Sequence, residues 1–353
     1  MTAWVEHLRA GGTTPWADFR RAEGDLATPV GAQQLEVLRR LNALGRPSAD
    51  LVERVLRADL VGRGRGDLAL SGTPEHRFGT PAVDPATLPP AELLRVVTGL
   101  LAEDVVAAGA PAPPRPRRPR FRRVRYRLHG DPWLAVPIRE ELVRRGYPTG
   151  GGRAMTFLVG RDLGSMLVDA WTRRALVDGV IGWEGWLAKL RRSDRLPPRA
   201  DLLRQARWWQ ARVGHHCVRI VTDPALLPDI LRVQGPLPQP PTVAANAVDL
   251  ARRVAPMVGL LAGHDRREHL MRHGLLPRLA DQPGEPLAVP ARFRPWLLRQ
   301  ARAQREGLLA EGYAVHGDLG HLDPVERTSG GGSPSVEAVL ELGLRMLLER
   351  STA

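Results

Sequence analysis

The run Met155-Thr156-Phe157-Leu158-Val159, leading into Gly160-Arg161-Asp162-Leu163-Gly164-Ser165, combines residue types that can hold an anion. An apolar strand that ends in Gly-Arg at a helix start places a guanidinium, a serine hydroxyl and unpaired helix N–H groups at the carboxyl edge of a parallel sheet. Gly130, Arg161 and Ser165 are therefore the ligand-binding candidates. The plainer alternative is that Arg161 pairs with a neighbouring carboxylate and Gly160 only permits the turn. His129-Gly130-Asp131 and His316-Gly317-Asp318 share a tripeptide pattern. A contact of His129 with Asp318, or of His316 with Asp131, would make an acid/base pair, so His129 and His316 are the catalytic candidates. Turn residues pivoting on glycine are the simpler reading.

A second constellation is cationic. Arg115, Arg117, Arg118, Arg120, Arg122, Arg123, Arg125 and Arg127 follow one another without an acid, interleaved with Phe121 and Tyr126. Prolines at 111, 113, 114, 116 and 119 stiffen the start of this stretch. Guanidinia on an extended segment can track a phosphate backbone while aromatic rings stack on bases, which makes Arg115 to Arg123 with Phe121 a nucleic-acid candidate. The alternative is a solvated basic linker that becomes the first strand.

Metal chemistry finds little support. His269 and His273 are spaced i, i+4 with His264 nearby, but no third ligand follows at a suitable distance. His215, His216 and Cys217 are adjacent before a strand, where neighbours point to opposite faces. No metal site is expected.

The elements that must position these residues read as follows. The first 70 residues are helical, with Trp4, Val5 and Leu8 on one face, Leu35, Leu38 and Leu41 in a helix from Gln33 to Leu44, and Ser48 as N-cap of the next helix. A long Pro/Gly/Thr connection precedes a helix from Ala91 to Ala108. After the linker, short apolar runs alternate with helical stretches, the pattern of βαβ units. Strands are expected at Val124–Leu128, Met155–Val159 and Val218–Thr222. Helices are expected at Trp133–Arg145, Leu163–Leu176, Trp183–Arg191, Arg199–Val213, Ala244–Leu261, Arg266–His273, Pro295–Glu311 and Ser335–Glu349, with Gly330 to Gly332 as a flexible joint before the last. The expected organisation is a helical region 1–108, a Pro/Arg-rich linker 109–120, an α/β domain 121–328 and a terminal helix 333–353.

Length and composition set the bounds. The chain has 353 residues, 43% apolar and 25% charged, which excludes a collagen, a disulfide miniprotein and wholesale disorder. Its single cysteine excludes an internal disulfide framework. Bases exceed acids by 51 − 38 = 13, which favours anionic partners. Lys189 is the only lysine, however, and Ala, Gly, Pro and Val are abundant, the signature of GC-rich coding. Local clustering of charge therefore weighs more than the total. Met1 to Arg20 lacks a secretory pattern and no stretch reaches the ~20 apolar residues of a membrane span, so a cytoplasmic protein without membrane contact is expected.

A resemblance then enters. Arg161-Asp162-Leu163 after its strand, Trp171, the Trp183-to-Leu190 helix, Arg207-Trp208-Trp209, Val218-Arg219-Ile220-Val221-Thr222-Asp223-Pro224, Asn246 with Leu250 and Arg253, Pro295-Trp296 and Glu311-Gly312-Tyr313-Ala314-Val315-His316-Gly317-Asp318-Leu319 follow in one order. Over residues 120–350 that order resembles actinobacterial members of the sulfotransferase superfamily. The resemblance implies a P-loop-like three-layer α/β core and sulfuryl transfer from 3′-phosphoadenylyl sulfate (PAPS) held by a Pro-Lys-(Ser/Thr)-Gly-Thr loop. This chain departs from that loop. Its run is His129-Gly130-Asp131-Pro132-Trp133-Leu134-Ala135-Val136-Pro137, with Trp133 where the lysine stands. Arg161 matches the arginine that holds the 3′-phosphate, but the serine expected eight residues later is Asp169. An indole cannot neutralise a phosphosulfate, and Asp131 would repel one. The expectation is a catalytically degenerate pseudoenzyme that binds an anionic ligand or protein partner at the carboxyl edge of the sheet. The alternatives are an active PAPS-dependent sulfotransferase and an arginine-rich nucleic-acid-binding protein.

Overall fold

The computed structural model describes residues 3–23, 31–58, 68–71, 82–112, 125–147, 149–151, 154–179, 181–325 and 332–351. The nucleic-acid candidates Arg115, Arg117, Arg118, Arg120, Phe121, Arg122 and Arg123 lie outside these residues, as do Gly330 and Gly331.

The amino-terminal part is helical: α1 (Ala3–Arg9), α2 (Trp16–Glu23), α3 (Ala32–Leu44), α4 (Ala49–Arg57) and α5 (Pro90–Ala108). Two short parallel strands, β1 (Ala69–Leu70) and β2 (Ala82–Val83), lie between α4 and α5. Ser48 caps α4 by accepting the Leu51 N–H at 3.2 Å, and Pro90 starts α5 at the position where a missing N–H costs nothing. Leu93, Leu94, Val97, Leu100, Leu101 and Val105 of α5 are buried. They pack against two helices from the second half of the chain, α11 (Ala245–Ala262) and α15 (Val336–Ser351).

The second part is the expected alternation, α/β in class but dominated by helix. β3 (Tyr126–Gly130), β4 (Met155–Val159), β5 (Val218–Val221) and β6 (Ala314–His316) form one parallel sheet in the order β3-β4-β5-β6. Parallel neighbours need crossovers. α6 (Pro132–Arg144) joins β3 to β4. α7 (Leu163–Asp178), α8 (Trp183–Ser193) and α9 (Leu202–Val213) join β4 to β5. α10 (Leu227–Ile230), α11, α12 (His264–Leu270), α13 (Leu276–Ala280) and α14 (Arg294–Ala310) join β5 to β6. The first strand lies two residues later than its composition suggests, because it pairs in register with β4 from Tyr126↔Met155 to Gly130↔Val159. β6 is only three residues long, too short to show an alternation.

Strand alternation divides the core. Tyr126, Leu128, Phe157, Val159 and Val221 face Leu134, Ile138 and Leu142 of α6 together with Leu227 and Leu231. Leu158, Val218 and Ile220 face the larger apolar core, which holds residues of α7 and α9 and continues through α5, α11 and α15 to the amino-terminal Trp4 and Leu8. Buried indoles satisfy their N–H groups within this core, Trp171 on Ile181 O at 3.1 Å and Trp183 on Ala288 O at 2.9 Å. Among the described residues no helix is long and apolar enough to cross a membrane.

Gly130 closes β3 at φ 102°, and a Cβ there would stand 2.0 Å from the Val159 carbonyl oxygen. Gly130→Ala combines a left-handed backbone with a clash against main chain, for an expected loss of about 3 kcal/mol. A lowered urea midpoint at unchanged slope is the expected result; an unchanged midpoint would show that β3 and β4 do not approach in this way.

Candidate functional site

In-register pairing of β3 with β4 sets the carboxyl ends of both strands side by side, so the turn at Asp131 lies next to the turn at Arg161. The Asp131 N–H donates to Val159 O at 2.8 Å, and the Gly160 N–H to Val221 O at 2.8 Å. Each turn opens a helix, and each helix is capped by the aspartate before it. Asp131 Oδ1 accepts the Trp133 N–H of α6 at 2.9 Å, and Asp162 Oδ1 accepts the Ser165 N–H of α7 at 3.0 Å. The helix N-termini that would attract an external anion are thus met by the chain's own aspartate side-chain oxygens.

Arg161 is engaged in the same way. Its guanidinium contacts Asp169, two turns into α7, with Nε 3.1 Å from Oδ2, and Asp131 Oδ2 lies 3.7 Å from Nε. The cation expected to hold a phosphate is therefore paired with carboxylate, and the residue that replaces the expected serine supplies the closer one. Asp131 is wholly buried. Burial, then the charge of Asp169, push its carboxyl well above the usual carboxylate range. Asp169 is raised as well, chiefly by burial, but its contacts with Asp131 and Arg161 pull it back. Two carboxyls and one guanidinium in a buried site settle with one proton between the acids. The stronger upward push falls on Asp131, whose buried Oδ2 has no hydrogen-bond partner, so Asp131 is the carboxyl that favours the proton.

Trp133 fills the turn. It is 8% exposed, its indole N–H donates to Pro241 O at 3.2 Å, and its ring lines an 80 Å³ cavity that also meets Arg161, Asp169, Thr172 and Pro240. These residues do not fit a phosphosulfate. The space is small, its cation is paired and its helix end is capped.

The candidate residues do not converge. Arg161 lines the 80 Å³ cavity, whereas Ser165 lines a separate, largely apolar 270 Å³ pocket with Val289, Leu297 and Val325. The Gly130 N–H donates to Gln205 Oε1 of α9 at 3.2 Å. His129 and His316 belong to β3 and β6, the two outer strands of the sheet, about 14 Å apart at the usual strand spacing. His316 lies near Phe157 with ring centroids 6.4 Å apart, and Asp318 accepts the Gly320 N–H. Neither acid/base pair forms. Among the described residues no cluster suits a metal ion; His269 bonds Pro111 O and lies against His273.

A different site stands beside this turn. β3 is an edge strand, and Arg127 and His129 point to its face away from α6. There α9 and the loop before it complete an open cleft of 340 Å³ lined by His129, Pro198, Arg199, Arg204, Gln205, Trp208 and Trp209. Gln205 fastens the two walls, accepting from Gly130 N–H and donating from Nε2 to Arg199 O at 3.1 Å. His129 lies on Trp209 with ring centroids 4.5 Å apart, and the Arg127 guanidinium sits 5.6 Å from the Trp209 ring. Arg127 is positioned by Gly151 O and Ala154 O at 2.6 and 2.9 Å.

The electrostatics of this cleft have one sign. Burial, then Arg199, Arg139 and Arg127, lower His129 to about 4, so it is neutral at pH 7. Arg199 is lowered as well, by partial burial of a side chain that still reaches solvent and then by Arg173 and Arg139. Among the described residues, neither Arg199 nor Arg204 forms an ion pair and no carboxylate lines the cleft. Asp201, the nearest acid along the chain, caps α9 by accepting the Arg204 N–H at 2.9 Å. Sequence reasoning missed this site because its walls lie 70 to 80 residues apart; Arg207-Trp208-Trp209 was the only local signal.

Two substitutions separate the roles of the buried acids. Asp131→Asn keeps a capping oxygen and a neutral donor toward Asp169, so a loss within about 1 kcal/mol is expected, whereas Asp169→Asn strips Arg161 of its closest counter-charge and costs about 3 kcal/mol. The folded state holds the Asp131 proton above the pH at which an unfolded carboxyl releases it, so this group's contribution falls as pH rises from about 4. Chemical denaturation from pH 4 to 7 is expected to shift progressively in favour of Asp131→Asn over the parent. A pH-independent difference between the two would place the proton elsewhere.

Compared with known protein families, curated proteins and solved structures, the chain matches none of them.

Proposed function

We propose that the protein is a sulfotransferase-like binding protein with a P-loop-like core, catalytically degenerate, that holds an anionic ligand at the carboxyl end of its sheet in the cleft between β3 and α9. The observation that carries this reading is the contrast between two neighbouring sites. At the turn where the resemblance puts the sulfate donor, Arg161 is balanced by Asp169 and Asp131, and Trp133 occupies the space. In the neighbouring cleft, Arg199 and Arg204 stand around His129 without an ion pair among the described residues. An arginine without a carboxylate partner keeps its donors for a ligand, and several on one rim raise the local anion concentration.

The same geometry supports the reading that sulfuryl transfer is lost. The chemistry needs an available cation at the developing charge of the bridging oxygen, and the guanidinium beside the β3–α6 turn, Arg161, is paired with Asp169 and lies near Asp131.

The test uses pyrophosphate as the anion, followed by calorimetry. Binding is expected to weaken by about fivefold or more in both Arg199→Ala and Arg204→Ala, as for charged hydrogen bonds in a solvated cleft. It is also expected to raise the His129 imidazole above its ligand-free value of about 4 in an NMR titration, because an anion favours the protonated ring. Turnover of 3′-phosphoadenylyl sulfate, or binding of its desulfated nucleotide that Arg161→Gln abolishes and Arg199→Ala spares, would contradict the proposal.

A further inference from the structure

The same cleft offers stacking surface that a bare anion would not use. Trp208 is 48% exposed and lines the cleft. The Arg212 guanidinium lies over its ring, 3.4 Å from the centroid, and Arg212 itself is not part of the cleft lining. Trp209 meets Trp208 edge-on with centroids 4.7 Å apart, and Trp209 is itself packed against His129 and below Arg127. The result is an aromatic pair flanked by Arg127 and Arg212, with much of the Trp208 surface open to solvent.

The openness of the cleft selects the kind of occupant. Small-molecule sites bury some 70–90% of their ligand. Here Arg199, Arg204 and Trp208 are all exposed, so a free small molecule would remain largely in water. A polymer that passes over the rim and places one unit in the 340 Å³ cleft gains its remaining contacts along the surface. Resting on the anion-cleft reading above, we infer that the cleft takes one nucleotide of a single-stranded nucleic acid, its base stacked on Trp208 and its flanking phosphates held by Arg199 and Arg204. A duplex does not meet these terms, because each base already has both faces covered by its neighbours.

The full-length protein is titrated into labelled oligothymidylate, with inorganic polyphosphate and a duplex of the same length as comparison probes. Oligothymidylate is expected to bind more tightly than either probe, to quench tryptophan emission and to weaken with salt. Trp208→Ala is expected to weaken it about tenfold while leaving polyphosphate affinity unchanged, and Trp208→Phe to keep most of the binding. Trp208 is exposed, so an unaltered melting temperature shows that the variant is folded. If Trp208→Ala leaves oligothymidylate affinity unchanged while Arg199→Ala weakens both single strand and polyphosphate, the anion cleft stands and the stacking inference fails. Should paired Arg199→Ala and Arg204→Ala substitutions leave every probe bound as before, both readings fail and binding belongs to another part of the chain. A preference for the duplex also overturns the inference.

Discussion

The buried contact among Asp131, Arg161 and Asp169 governs the carboxyl end of the sheet. Two strands that pair in register bring two turns together, and the charges at those turns must be balanced inside the fold because Asp131 has no access to water. Raised carboxyls that favour keeping a proton and one guanidinium provide the balance. The cost is functional: a site built from helix N-termini and arginine, the usual ingredients for holding phosphate, is closed from within. The aspartate that starts α6 occupies the place of an anion, and the arginine after β4 is committed to α7.

That closure relocates the available positive charge. Because β3 is an outer strand, its second face is not buried beneath a helix as the inner strands are, and Arg127 and His129 remain on it. α9 approaches this face with two tryptophans and tethers it through Gln205. The cleft therefore arises from the same strand order that fixes the closed turn. The apolar core supports both, since α9 is seated by Leu202 and Ala206 while its outward face carries Trp208 and the arginines.

Much of the scaffold was legible from residue patterns. Apolar spacing placed α3, α5, α7, α8, α11, α14 and α15 within a few residues of their observed ends, and Ser48 was legible as a cap because its hydroxyl acts over three residues. β4 was readable because Met155 to Val159 is short, apolar and bounded by glycines. β6 escaped because three residues cannot display a period, whereas α2 fell within the general helical reading of the first 70 residues without bounds of its own. At the site, the pairing of Arg161 with a nearby carboxylate was one of two open readings; the spacing of Asp169 made it possible, but only the register of β3 against β4 adds Asp131. The contact of Gln205 with Gly130 had no sequence signal, because it joins positions 75 residues apart through tertiary packing. Residues 113–124 carry the densest charge in the chain and lie outside the described structure.

The central claim is that the β3 and β4 turns neutralise each other around a single proton. Carbon-13 NMR titration of the side-chain carboxyls of Asp131 and Asp169 tests it directly. The account predicts that the Asp131 carboxyl stays protonated through the range in which exposed aspartates ionise, with Asp169 titrating below it. Both carboxyls ionising together near the ordinary value of ~4 would contradict it, and would leave the Arg161 site open to an external anion.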